Sequence, residues 1–106
     1  MAEGGADVVV RHFGLTTGGA IGAETAIGLD QCVTAATEWA EAAREIPNDV
    51  IVLVHGGPVA ELADAEHVLR NADGNDGFYG ASSMERLPTE RAIREQTATF
   101  TTIGFR

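Results

Sequence analysis

Three strand-like apolar runs, each followed by a segment rich in glycine, histidine or serine and then by a helix-like stretch, predict an α/β fold built from three βα units. Two further observations fit a partial TIM-type barrel, and the first of them fits a doubly wound sheet as well. The unusual segments lie after the strands rather than before them, and ligands sit at strand C-terminal ends in barrels and doubly wound sheets. The chain has 106 residues, whereas a complete (β/α)8 barrel takes roughly 250. That length holds one compact domain with a real core and not two. The expectation is a single βαβαβα domain over residues 1–106, with parallel strands, right-handed crossovers and an open barrel.

The first strand is expected over about residues 7–13. Val8-Val9-Val10 is a β-branched run of the kind that parallel sheets bury, and it ends at Arg11-His12-Phe13-Gly14. A glycine-rich connection from Gly14 to Gly28 follows. From Asp30, a good N-cap residue, the pattern turns helical to about Glu45, and Pro47 stops it. Val33, Ala36, Ala40 and Ala43 form the apolar stripe of that helix, with Cys32 and Trp39 on its flank as packing residues. Val50 to Val54 is the clearest strand, and it runs into His55-Gly56-Gly57-Pro58. A helix from about Ala63 to Asn71 should turn Leu62, Ala65, Val68 and Leu69 inward, with Asp73-Gly74 closing it. Gly77 to Ala81 is a third, weaker strand leading into Ser82-Ser83-Met84-Glu85-Arg86. Leu87-Pro88-Thr89-Glu90 marks a helix entry. That helix should run to about Ile103 with Ile93, Thr97 and Phe100 inward, and Gly104 as its stop.

Composition removes several function classes. No run of about 18 apolar residues exists, so nothing is expected to span a membrane. The start, Met1-Ala2-Glu3-Gly4-Gly5, lacks the basic and apolar regions of a signal peptide, and the lone Cys32 excludes an intramolecular disulfide. A cytoplasmic location is the expectation. Sixteen acidic residues against seven basic ones give a net charge of −9, which argues against nucleic acid and anionic membranes as partners. Every basic residue is an arginine. Without lysine there is no Schiff-base nucleophile and no P-loop cation.

The chemistry-bearing segments sit at the strand ends. In His55-Gly56-Gly57-Pro58 a ring that can shuttle protons precedes two residues without Cβ, whose N–H groups can approach an anion closely. The structural alternative is a tight βα turn. Ser82 and Ser83, with Arg86, offer two hydroxyls and a guanidinium suited to a phosphate; the alternative is a capped turn with a Glu85–Arg86 surface pair. The Gly14–Gly28 connection carries Thr16, Thr17, Gly18 and Gly19, yet it has neither GxGxxG nor a Walker A pattern. Its length suits a binding loop or lid, or a plain flexible stretch. His12 is a second histidine at a strand end. Glu24 could act as an acid or base but nothing singles it out, and His67 falls mid-helix, where it should be solvated. No His, Cys, Asp and Glu spacing marks a metal site.

Three stretches together, HFGLTTGGAIGAETA, DVIVLVHGGPVAELADAEHVL and GFYGASSMERLPTERAI, resemble the C-terminal part of the phosphoenolpyruvate hydrolase-like TIM-barrel family. That family is related to the phosphoenolpyruvate mutase and isocitrate lyase barrels, and it also occurs fused to a plant viral-resistance-type domain. The resemblance covers nearly the whole chain and implies that the three strands correspond to strands six to eight of a (β/α)8 barrel. It implies a phospho- or α-keto-carboxylate ligand. The residues it singles out are His12 and His55 as catalytic, with Thr16, Thr17, Gly18, Gly19, Gly56, Gly57, Ser82, Ser83 and Arg86 binding the substrate or anion. The segments corresponding to strands one to five are missing, and in the related enzymes the magnesium-binding acids lie there. No cofactor is therefore expected in this chain, and magnesium only in a completed barrel.

Three parallel strands cannot close a barrel, and their outer edges invite pairing with another chain. The expected partners are further copies in a homo-oligomer or a separately encoded N-terminal barrel part, together with a small anionic metabolite. Three behaviours follow: an enzyme subunit inactive without the missing strands, a non-catalytic oligomeric module that binds anions through its strand-end loops, or an inert assembly with vestigial loops.

Overall fold

Alternation along the strands decides the architecture. The computed structural model describes residues 1–19, 27–47 and 49–104. A short 3-10 turn at Ala2–Gly4 precedes β1 (Val8–His12), α1 (Leu29–Arg44), β2 (Ile51–His55), α2 (Leu62–Asn71), β3 (Gly77–Phe78) and α3 (Arg86–Phe100). The strands form one parallel sheet in the order β1-β2-β3. This is a mixed α/β, partial βα-repeat fold, as the strand–helix alternation requires.

Successive side chains of a strand point to opposite faces. Val9 of β1 and Val52 and Val54 of β2 face the helices and are buried. Val8 and Ile51, which pair in the sheet, point the other way and stay 44% and 46% exposed. On the covered face, Cys32, Ala36, Ala40 and Ala43 present small side chains along one stripe of α1, all buried. The α1 end of the core joins Phe13, Cys32, Ala36 and Val54 to Ala65, Val68 and Ala72 from α2 and the turn after it. A second cluster gathers Val9, Ala40, Ala43, Val50 and Val52. Arg11 lies on this same face, its guanidinium 5.4 Å from the Phe13 ring and 5.3 Å from the Trp39 ring.

Several boundaries and faces differ from the sequence reading. α1 is capped at Gly28 rather than Asp30, because the Gln31 side-chain oxygen accepts the Gly28 N–H at 2.9 Å. The Asp30 carboxylate turns instead to His67 of α2, 3.1 Å away, so His67 bridges the two helices. Cys32 sits in the core rather than on its flank. Leu62 opens α2 beyond the end of the packed face and is 86% exposed. β3 is shorter than expected: after Tyr79 the chain turns, with the Ala81 carbonyl accepting the N–H groups of Met84 and Glu85. The largest difference is α3. Only Leu87 in its first turn is buried, while Ile93 and Phe100 are each 62% exposed. Beyond that turn the helix leaves the sheet, and the molecule measures 72 × 24 × 21 Å.

At the N-terminal ends of the strands a charged cluster ties the units together. Asp76 accepts the Val52 N–H and an Arg44 N–H, both at 2.7 Å, and Arg44 also donates to the Val50 carbonyl at 2.7 Å. Asp76 is half exposed, but its carboxylate supplies the partner that the Val52 amide would otherwise lack at the start of β3. Replacing Asp76 with Ala should cost about 1–3 kcal/mol in urea unfolding, the range for an orphaned amide and a charged hydrogen bond. In contrast, Ile93→Ser should move the unfolding free energy by less than about 0.5 kcal/mol, because no packed contact is lost.

Candidate functional site

The parallel register places His12 directly beside His55. Both histidines occupy the face opposite the helices, the face that becomes the interior when such a sheet closes. Tyr79 follows Phe78, which pairs with Val54, so period two puts its ring on that same side. The outcome is a row of three rings across three strand ends. His12 and His55 meet edge to face with centroids 4.8 Å apart, and His55 and Tyr79 meet likewise at 4.9 Å. The His55 Nδ1 lies 2.7 Å from the Tyr79 carbonyl, and the Gly14 N–H donates to His12 Nδ1 at 3.1 Å.

The loops after β1 and β2 are laced together behind this row. Gly57 N–H donates to the Gly14 carbonyl at 2.7 Å, and Thr17 donates to the Gly57 carbonyl through its N–H at 2.9 Å and its hydroxyl at 3.2 Å. Gly56 and Gly57 have φ of +76° and +59°. A Cβ on Gly57 would lie 2.6 Å from the Phe13 carbonyl, and one on Gly56 would run into the Gly14 carbonyl. Both glycines are thus required by the close approach of two backbones. The Gly57 amide is spent inside the protein rather than offered to a ligand.

Arg86 connects the third unit to the first. Its guanidinium reaches the Gly18 carbonyl at 3.4 Å and the Glu90 carboxylate at 3.1 Å. Gly19 lies against the same pair: a Cβ there would be 2.6 Å from Glu90 Oε2. The Arg86 charge is therefore shared with Glu90 in a half-buried ion pair. Thr16, Ser82 and Ser83 are partly buried nearby in sequence, and none of their hydroxyls bonds to another described residue. Glu24 falls outside the described residues.

The structure therefore brings together His12 with His55, Thr17 with Gly57, and Arg86 with Gly18 and Gly19. Sequence reasoning missed Tyr79, although alternation from Gly77 could have placed it beside His55. It also missed Arg11, which looked like the end of an apolar run. Among the described residues no three His, Cys, Asp or Glu side chains gather as metal ligands. The described residues do not fit a magnesium site. Cys32 is fully buried, and burial pushes its thiol above the ordinary value, partly opposed by Arg11. It is a packing residue that keeps its proton.

A parallel sheet of βα units carrying polar rings and glycine-laced loops at its strand C-terminal ends defines a partial βα-repeat fold. The comparison with known proteins is more specific: residues 1–103 match the phosphoenolpyruvate hydrolase-like family, and the chain belongs to it. Two tomato (Solanum lycopersicum) proteins, the ToMV susceptible protein tm-1(GCR26) and the ToMV resistance protein Tm-1(GCR237), are each 55% identical over 93 residues, covering 88% of this chain and 12% of theirs. A putative transcriptional regulatory protein, y4pA, of Sinorhizobium fredii is 27% identical over 103 residues, which is 97% of this chain and 17% of that protein. The chain thus spans about an eighth of the length of its tomato relatives. No described helix is long and apolar enough to cross a membrane.

Two outcomes follow from this packing. Gly57→Ala should destabilise the fold by about 1–2 kcal/mol or more, since a left-handed backbone and a close carbonyl both oppose a methyl group; denaturant titration measures it. Cys32 should stay silent to a thiol reagent in the native protein at neutral pH and react on unfolding, because the buried thiol is not ionised. The folded-state shift is upward. Any stability it contributes is present below the unfolded thiol's value and is lost as pH rises through the folded one.

Proposed function

We propose that this chain is one sector of a phosphoenolpyruvate hydrolase-like barrel, binding a small phospho- or α-keto-carboxylate at its strand ends and turning it over only when further strands complete the enclosure. The observation that carries this reading is the His12–His55–Tyr79 row on the uncovered face, at the end of the sheet where barrel active sites lie. Ser82, Ser83 and the Gly18-Gly19 loop held by Arg86 stand in the neighbouring strand-end segments. A complete site needs walls that three strands do not supply.

Completion by further βα units, from additional copies or from a separately encoded N-terminal barrel part, is supported by three features of the described residues. The outer edge of β1 has no strand partner. Val8 and Ile51 leave apolar surface on the uncovered face. Arg11 on that edge strand has no carboxylate partner, whereas Arg44, Arg70, Arg86, Arg91 and Arg94 all do. The second reading is a non-catalytic oligomeric module that binds small anions through the same loops, favoured by the absence of a gathered acidic or metal-ligand cluster among the described residues. The name of the Sinorhizobium relative suggests regulation of transcription, but a net charge of −9 with five ion-paired arginines argues against contact of this chain with DNA.

Light scattering on the purified chain, followed by calorimetric titration with phosphoenolpyruvate and inorganic phosphate, tests the proposal. A defined oligomer that binds either anion, and loses about tenfold or more in affinity on His55→Ala, is the expected result. Binding with turnover supports the enzyme; binding without turnover supports the module. A well-folded protein that binds neither anion in any assembly state would sink both readings.

A further inference from the structure

We propose that the two strand-end histidines have fixed and opposite roles, His55 accepting a proton through Nε2 and His12 donating a hydrogen bond through Nε2–H, so that the row suits a ligand with an acidic X–H group beside an oxygen that gains charge. This rests on reading the row as a binding site, and it deepens that reading by assigning the direction of proton movement.

The assignment comes from two backbone groups. A carbonyl oxygen can only accept, so the 2.7 Å contact between His55 Nδ1 and the Tyr79 carbonyl requires the proton on Nδ1. In the neutral ring this leaves Nε2 with a free lone pair. A backbone amide can only donate, so the Gly14 N–H, 3.1 Å from His12 Nδ1, takes that nitrogen's lone pair. Neutral His12 then carries its proton on Nε2. Gly14 and Tyr79 act as positioning residues through main-chain atoms, which no side-chain substitution removes.

The packing holds both rings in these orientations. A Cβ on Gly56 would stand 3.5 Å from both Cε1 and Nε2 of His12, so the donor edge of His12 lies against the glycine turn after β2. The ring planes of His12 and His55 meet at 74°, and those of His55 and Tyr79 at 70°. Turning one ring would disturb its neighbour. Among the described residues, the titratable rings in contact with His55 are His12 of β1 and Tyr79, which follows β3, one on either side.

The proton transfer balances within the pair. The ligand's X–H bond breaks and its proton goes to His55 Nε2. The bonding electron pair stays on the ligand, and the oxygen that acquires the negative charge accepts from His12 Nε2–H. A neutral ring and an X–H group become an imidazolium and an anion, with no oxidant or second reactant. The same tautomers make the pair a poor two-histidine metal site, because His12 Nε2 already holds a proton.

The test is a long-range proton–nitrogen correlation spectrum of the isotope-labelled full chain near pH ~8, where a free imidazole is neutral. His12→Gln, His55→Gln and His67→Gln variants assign the three rings. The expected result is a proton on Nε2 of His12 and on Nδ1 of His55. Both rings protonated on Nε2, or a His55 signal averaged between tautomers, overturns the proposal. Adding inorganic phosphate and phosphoenolpyruvate separates it from the binding reading. If the tautomers are as stated and neither anion perturbs the ring nitrogens, the anion site fails while the assignment of roles stands.

Discussion

Five consecutive residue pairs join β1 to β2, from Val8 with Ile51 to His12 with His55. In a parallel ladder the side chains alternate between faces, so a slip of one residue by either strand would turn that strand's buried positions outward. If β1 slipped, Val9 would leave the alanine stripe of α1 and Val8 would enter it; if β2 slipped, Val52 and Val54 would leave and Ile51 would enter. The same slip would separate His12 from His55. Core and site therefore depend on one register, which the helix-facing valines enforce through the apolar surface they remove from water.

The two ends of the sheet are used differently. At the N-terminal end, Asp76 and Arg44 satisfy amide and carbonyl groups around the start of β2 and β3. These contacts hold the units together. At the C-terminal end the backbones after β1 and β2 approach so closely that only glycine fits at residues 56 and 57. That closeness keeps two histidine rings in contact while their orientations are set by main-chain atoms. A site made from adjacent strand ends gains precision because the ladder already determines the spacing.

The coverage of the sheet is one-sided. Small residues on α1 let the helix approach β1 and β2, and α2 completes that layer. Nothing among the described residues covers the opposite face, and α3 leaves the sheet after Leu87 with Ile93 and Phe100 exposed. The tomato members of the family are about seven times longer than this chain. The helix side of this sheet is packed, and its strand-end row stands on the uncovered face.

How much was legible in the sequence can be read from particular residues. The apolar runs at Val8 and Val50, Pro47 after the first helix, and the glycines after each strand were enough for the three units and their parallel order. His12 and His55 were recognisable as strand-end residues by position. The inward stripe of α3 was misread, because periodicity at Ile93, Thr97 and Phe100 describes a face without saying what stands opposite it. Tyr79 and Arg11 were overlooked because their roles come from rings and strands distant in sequence. The alternation of apolar runs determined the layers and the location of the site, since periodicity is a local property of the chain. Only the tertiary structure decided that main-chain atoms of Gly14 and Tyr79 meet the two histidine rings, that Arg86 shares its charge with Glu90 and the Gly18 carbonyl, and that Ile93 and Phe100 of α3 stay exposed. Each of those depends on which atoms from separate units meet, and spacing along one segment does not encode that.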